Sequence, residues 1–130
     1  MKGELKQDVA LPGKGKITGP YGKRSKDYFY YVFNSYVQPK TTYKFDFKTG
    51  QSTLFTKPEI SFEPNDYMSE QVFYHSKDGT RVPMMISYKK GLKKDGTNPT
   101  LLYAYGGFAI SLTPKFSPAN IAWMDLGGVY

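Results

Sequence analysis

Apolar and polar positions alternate along the first half of the chain in short runs cut by glycine and proline. The clearest run is "TTYKFDFKTG", Thr41 to Gly50, with Tyr43, Phe45 and Phe47 on one face and Thr42, Lys44 and Asp46 on the other. Lys48-Thr49-Gly50 predicts a hairpin turn, and "QSTLFTK" is its return strand. Before it, "DYFYYVFNS", Asp27 to Ser35, is aromatic and β-branched almost throughout, which predicts a strand covered on both faces. "KITGPYG" predicts a short strand ending at Gly22, and "ELKQDVAL" alternates weakly up to Pro12-Gly13. These runs add up to an antiparallel meander, the content of one propeller blade, which alone has no partner for its inner face.

The pattern changes at "KPEISFEPNDY", Lys57 to Tyr67, where two prolines and several acids predict an extended connection. Then "EQVFYHSKDGTRVPMMISYKKG" centres on Asp78-Gly79, a strong two-residue turn signal, with strands over about Glu70 to Ser76 and Arg81 to Lys89. Pro83 lies inside the second strand and is expected to face an unpaired edge or a bulge. "PTLLYAY", Pro99 to Tyr105, is the most apolar run and reads as the central strand of a sheet. "PANIAWMDLGG" predicts a helix, with Pro118 in its first turn and Gly127-Gly128 at its end. Val129-Tyr130 then start a further strand. Strand, helix, double glycine and strand start are the entry into a βαβ crossover, so the sequence reads as two partial domains of a longer protein.

Composition agrees with a β-rich globular chain. Of 130 residues, 39% are hydrophobic and 17% aromatic, with 13 glycines and 9 prolines for turns. The net charge of +7 raises nucleic acid or another anionic polymer as a partner for a small basic, aromatic-rich β module. The lysines are scattered, however, and the aromatics sit on alternating, core-like positions. With no cysteine there is no disulfide framework and no thiolate metal site. The compartment stays open between cytoplasm and periplasm. No apolar run reaches the length of a membrane span, and "MKGELKQDVALPGKG" lacks the apolar core of a signal peptide.

Candidate chemistry is sparse. The sequence has no Gly-x-Ser-x-Gly elbow, no Walker A loop and no dinucleotide fingerprint. His75 is the single histidine and reads as a surface residue of the hairpin, because one imidazole fills no metal shell and forms no triad by itself. What remains is "YAYGGFAI", Tyr103 to Ile110. Glycines after a strand let backbone approach a ligand. Tyr105, one residue before them, is either a core tyrosine with a satisfied hydroxyl or a donor to a developing oxyanion. Pattern alone favours the core role.

The string from Glu70 through Ser117, with Ser-Lys-Asp-Gly-Thr, Val-Pro-Met, Lys-Lys-Gly and Tyr-x-Tyr-Gly-Gly-Phe in order, closely resembles the start of the peptidase domain of prolyl oligopeptidases. "LPGKGKITG" and "YKFDFKTGQSTLF" are similar to the family's last propeller blade. The resemblance implies a mixed β and α/β fold: blade over residues 1–58, linker 59–68, and the first strands and helix of an incomplete α/β-hydrolase domain over 69–130. It implies a serine peptidase that cleaves short peptides after proline and needs no cofactor or metal, with neither nucleic acid nor membrane as partner. By the same resemblance Tyr105 is the oxyanion-hole hydroxyl, Phe108 lines the proline-binding S1 pocket, Gly106 and Gly107 form the turn, and Ile110 is packing. That reverses the reading of Tyr105. No residue here matches the family's triad serine, aspartate or histidine, so the chain alone is expected to be inactive and to depend on the remainder of a parent chain. Its two unpaired sheet edges predict self-association.

Overall fold

The computed structural model describes residues 3–130; Met1 and Lys2, on which the reading of the chain's start depends, lie outside them. Four antiparallel strands form the first sheet in the order β1 (Lys16–Tyr21), β2 (Tyr28–Asn34), β3 (Thr41–Asp46), β4 (Gln51–Thr56). The register sets Tyr31 opposite Tyr43 and Phe29 opposite Phe45. Their rings meet at centroid distances of 5.4 Å and 5.1 Å, so cross-strand aromatic pairs hold the centre of the sheet. Tyr31, Phe33 and Phe45 are the buried core, with Val9, Phe29 and Tyr43 packed around them.

Two expectations fail here. "ELKQDVAL" forms no strand; it contributes Val9 to the core and is otherwise exposed. β2 buries Tyr31 and Phe33 on one face; on the other, Tyr28, Tyr30 and Val32 are only half-buried, with Lys44 4.3 Å over the Tyr28 ring and Phe55 4.7 Å from the Tyr30 ring.

The second sheet is a hairpin of β5 (Tyr67–His75) and β6 (Arg81–Lys89), turned by Asp78-Gly79 with Gly79 at φ 83°. Asp78 fixes the turn: its carboxylate accepts from the Ser76 hydroxyl and from the Thr80 amide at 3.0 Å. These bonds, the Ser76 hydroxyl first, pull its carboxyl down to about 2. A depressed carboxyl stabilises the hairpin fully above its unfolded value near ~3.9, and that stabilisation is lost as pH falls through about 2. The Thr80 amide resonance is therefore expected to titrate near pH 2, and Asp78→Asn removes that step. A midpoint near 4 would show the turn bonds to be weak.

Pro83 lies opposite Phe73. Ser87 turns its backbone away from β5, donating to Tyr130 at 2.7 Å and accepting from it at 2.9 Å. Strand alternation puts Pro83 in the same phase, so its missing N–H faces the outer edge, as expected.

Helix α1 (Pro118–Asp125) follows Ser117 and ends in a Schellman motif: Gly127, at φ 85°, donates to Met124 and Gly128 donates to Trp123. Ile121 and Met124, three apart, point into a second core with Tyr67, onto which Val37, Phe62 and Phe116 pack. The β2–β3 loop therefore ties the two sheets together. Its Ser35 hydroxyl accepts from the amides of Val37 and Gln38, and the Tyr36 ring meets Tyr130 at 5.3 Å.

The largest departure is Pro99–Tyr105. It is not a central strand. Only Thr100 bridges, in parallel, to Val129, and Leu102 is 76% exposed. A strand exists through its ladder partners, and among the described residues only Val129 lies beside this run. The parallel bridge with α1 between its two sides does match the expected crossover. Among the described residues the regular structure is thus a four-stranded antiparallel sheet, a hairpin, a 3-10 turn at Pro64–Asp66 and one α-helix.

Candidate functional site

The candidate site begins where the apolar run leaves its bridge. Tyr105 is half-exposed, and its hydroxyl has no hydrogen-bond partner among the described residues. The ring folds back over Gly107. A β-carbon built on Gly107 would sit 3.3 Å from the Tyr105 hydroxyl oxygen, a tight contact that a small movement of the ring relieves.

The turn itself differs from the expected one. Gly106 and Gly107 are not its left-handed residues; Phe108 (φ 55°) and Ala109 (φ 53°) are. The Ile110 amide donates to the Gly107 carbonyl at 3.1 Å, closing the turn across that pair. Two consecutive side-chain-bearing residues with positive φ are strained by about 1–3 kcal/mol each, and such strain is concentrated at ligand sites and switches. The turn throws the Phe108 ring into solvent at 91% exposure.

A cleft of about 580 Å³ runs between the hairpin and the segment from Leu101 to Pro114. Tyr105 and Ile110 line it; Phe108, Gly106 and Gly107 do not. Ile110, expected as packing, is instead a half-exposed wall of this cleft. Lys14, just ahead of β1, and Tyr36, in the β2–β3 loop, also line it, and sequence pattern passed over both. Tyr36 had a readable signal, since an aromatic in a Ser-Tyr-Val-Gln-Pro turn after a buried strand must find cover elsewhere. His75 ends β5, opposite Arg81, and is exposed.

Two polar braces hold the hairpin that forms the facing wall. Asp125 accepts from Tyr67 at 2.8 Å and from Lys89 at 2.7 Å, and Lys89 first, then Tyr67, holds its carboxyl below the usual range. Burial, then the Asp125 bond, pushes the Tyr67 phenol up. Glu70 accepts from Lys94 at 2.6 Å and from Tyr88 at 2.8 Å, and both lower its carboxyl. The charged members are solvent-exposed, so these contacts orient more than they stabilise.

Residues 1–58 match the family model described as prolyl oligopeptidase, N-terminal beta-propeller domain. A prolyl endopeptidase from Elizabethkingia meningoseptica is 53% identical over 128 residues, covering 98% of this chain and 18% of that protein. Over almost its whole length the chain is thus similar to prolyl oligopeptidases, with residues 1–58 matching their propeller domain. It is also similar to dipeptidyl aminopeptidase BI from Pseudoxanthomonas mexicana, at 36% identity over 97% of this chain and 17% of that one. A solved prolyl endopeptidase structure superposes with a TM-score of 0.80 at 46% identity, over 94% of this chain and 18% of that chain. Prolyl oligopeptidase B from Galerina marginata, bound to a 35mer hydrolysis and macrocyclization substrate, superposes with a TM-score of 0.76 at 32% identity, over 88% of this chain and 17% of that one. The chain therefore spans about a fifth of the length of these family members.

Proposed function

We propose that this chain is the part of a serine-type prolyl oligopeptidase that carries one oxyanion donor and one wall of the proline pocket. Residues 1–58 are then the last propeller blade, 59–68 the connection, and 69–130 the start of the α/β-hydrolase peptidase domain. The order of pairing in the second sheet supports this: β5, β6, Val129–Tyr130, then Pro99–Leu101, with Tyr130 antiparallel to β6 and Val129 parallel to Thr100.

The observation that carries the site is the Tyr105 hydroxyl, without a partner among the described residues, beside a strained turn that presents Phe108. When a nucleophile attacks the carbonyl after proline, negative charge develops on the carbonyl oxygen. A fixed phenol O–H donates to that oxygen more strongly in the transition state than in the ground state, which lowers the barrier. Phe108 presents a flat apolar face, suited to a substrate's pyrrolidine ring.

No residue of the chain supplies the serine nucleophile or its base, so the chain alone is expected to hydrolyse nothing. Incubation with a chromogenic proline peptide checks this. Turnover that copurifies with the chain through successive columns would overturn it.

A further inference from the structure

The Gly107 carbonyl accepts from the Ile110 amide at 3.1 Å, and both residues between them are left-handed, Phe108 at φ 55° and Ala109 at φ 53°. That is the pattern of a type I′ turn, whose central positions favour Asn-Gly, Asp-Gly or Gly-Gly. Here they hold an aromatic side chain and a methyl group, and each β-carbon crowds its own backbone at positive φ. Gly106 and Gly107 tolerate that conformation but stand just ahead of the positions that need it. Among the described residues a single backbone hydrogen bond closes the turn. The Tyr105 ring folds back over Gly107, whose carbonyl accepts that bond, so both groups of the proposed site hang on this one turn.

We infer that Ala109 is a positioning residue that limits how much of the enzyme presents Phe108, granted the pocket role proposed for Phe108 above. The turn exchanges between this left-handed form and a relaxed form with negative φ at 108 and 109. Only the left-handed form sets the Phe108 ring where a proline substrate meets it. A substrate that binds one of two forms has its apparent affinity reduced by the fraction in that form. Ala109 is the place to adjust that fraction. Phe108 supplies the ring itself, whereas Ala109 is not a wall of the cleft. Asparagine at 109 favours the left-handed region and glycine tolerates it, whereas a β-branched valine is a strong outlier there. None of these changes touches the nucleophile or the Tyr105 hydroxyl, so the effect belongs to KM, with kcat retained.

The test compares a full-length enzyme carrying this sequence with its Ala109→Asn, Ala109→Gly and Ala109→Val variants. On a proline peptide, Ala109→Asn is expected to lower KM by about threefold or more, and Ala109→Val to raise it by about tenfold, with kcat within about twofold in each. Ala109→Gly is expected to fall between Ala109→Asn and the parent. Hydrogen exchange at the Ile110 amide reads the closed turn with no substrate present. It should slow in Ala109→Asn and quicken in Ala109→Val, while the unfolding midpoints stay together. If the valine variant does not fold, Ala109→Asn carries the test alone. A KM that Ala109→Asn leaves unchanged or raises would overturn the inference. So would a valine defect confined to kcat, or Ile110 exchange indifferent to the residue at 109. A parent enzyme that turns over no proline peptide sinks the peptidase reading instead, and Ile110 exchange still decides whether Ala109 governs the turn.

Discussion

Tyr105→Phe, in a full-length peptidase carrying this sequence, is expected to lower kcat on proline peptides by about two to three orders of magnitude while KM stays within a few-fold. The substitution keeps the ring that lies over Gly107 and removes only the hydroxyl. Nothing in the fold depends on that hydroxyl, which has no partner among the described residues. A stability change should therefore be small, and the kinetic loss reports the transition state alone. Stopped assays over a range of substrate concentrations separate kcat from KM. A kcat within a few-fold of the parent would remove Tyr105 from the oxyanion hole and return it to a packing role.

Phe33→Ala is expected to have the largest effect on folding. Phe33 is 1% exposed and sits with Tyr31 and Phe45 at the centre of the blade. Truncating a buried phenylalanine costs roughly 3–5 kcal/mol, through lost transfer energy and the cavity left behind. Whole domains are stable by only about 5–15 kcal/mol, so most or all of the blade's stability is removed. Chemical denaturation followed by tyrosine fluorescence measures it, with Phe33→Leu as the milder control. A midpoint shift equivalent to under about 1 kcal/mol would mean that the aromatic cluster is not the blade's core.

The two predictions rest on parts of the chain that differ in how readable they were. β3 follows from alternation, β2 from its aromatic and β-branched run and β4 from the hairpin turn before it, because each strand's partners are its neighbours in sequence. Asp78-Gly79 and the helix ending at Gly127 are local chemistry and appear where the residues place them. Pro99–Tyr105 was misread for the opposite reason. Its apolarity marks a segment that needs neighbours on both sides, and pattern reports the need without supplying the neighbours. "ELKQDVAL" failed because weak alternation in an edge segment does not outweigh the cost of ordering it.

The candidate site divides in the same way. Tyr105 and Phe108 were singled out through resemblance, whereas the pattern alone favoured a core tyrosine. The left-handed pair Phe108-Ala109 was invisible in sequence, since residue preference assigns positive φ to Gly106 and Gly107. The strain instead falls on the residue whose side chain is presented. The local signal at Tyr36 is a need for cover, and where that cover lies depends on how the β2–β3 loop docks onto the second core; Lys14, ahead of β1, carries no local signal for the cleft.

The central claim is that Tyr105 and Phe108 face the reacting proline from one side of the site. The measurement that reaches it most directly is a crystal structure of a full-length enzyme carrying this sequence, with a peptide aldehyde ending in a proline analogue. The serine adduct of that aldehyde holds an oxygen where the oxyanion develops. The account predicts the Tyr105 hydroxyl at about 2.7–3.1 Å from that oxygen, with the Phe108 ring packed on the pyrrolidine ring. A Tyr105 hydroxyl bonded elsewhere in the protein, or a Phe108 ring away from the pyrrolidine, would contradict it.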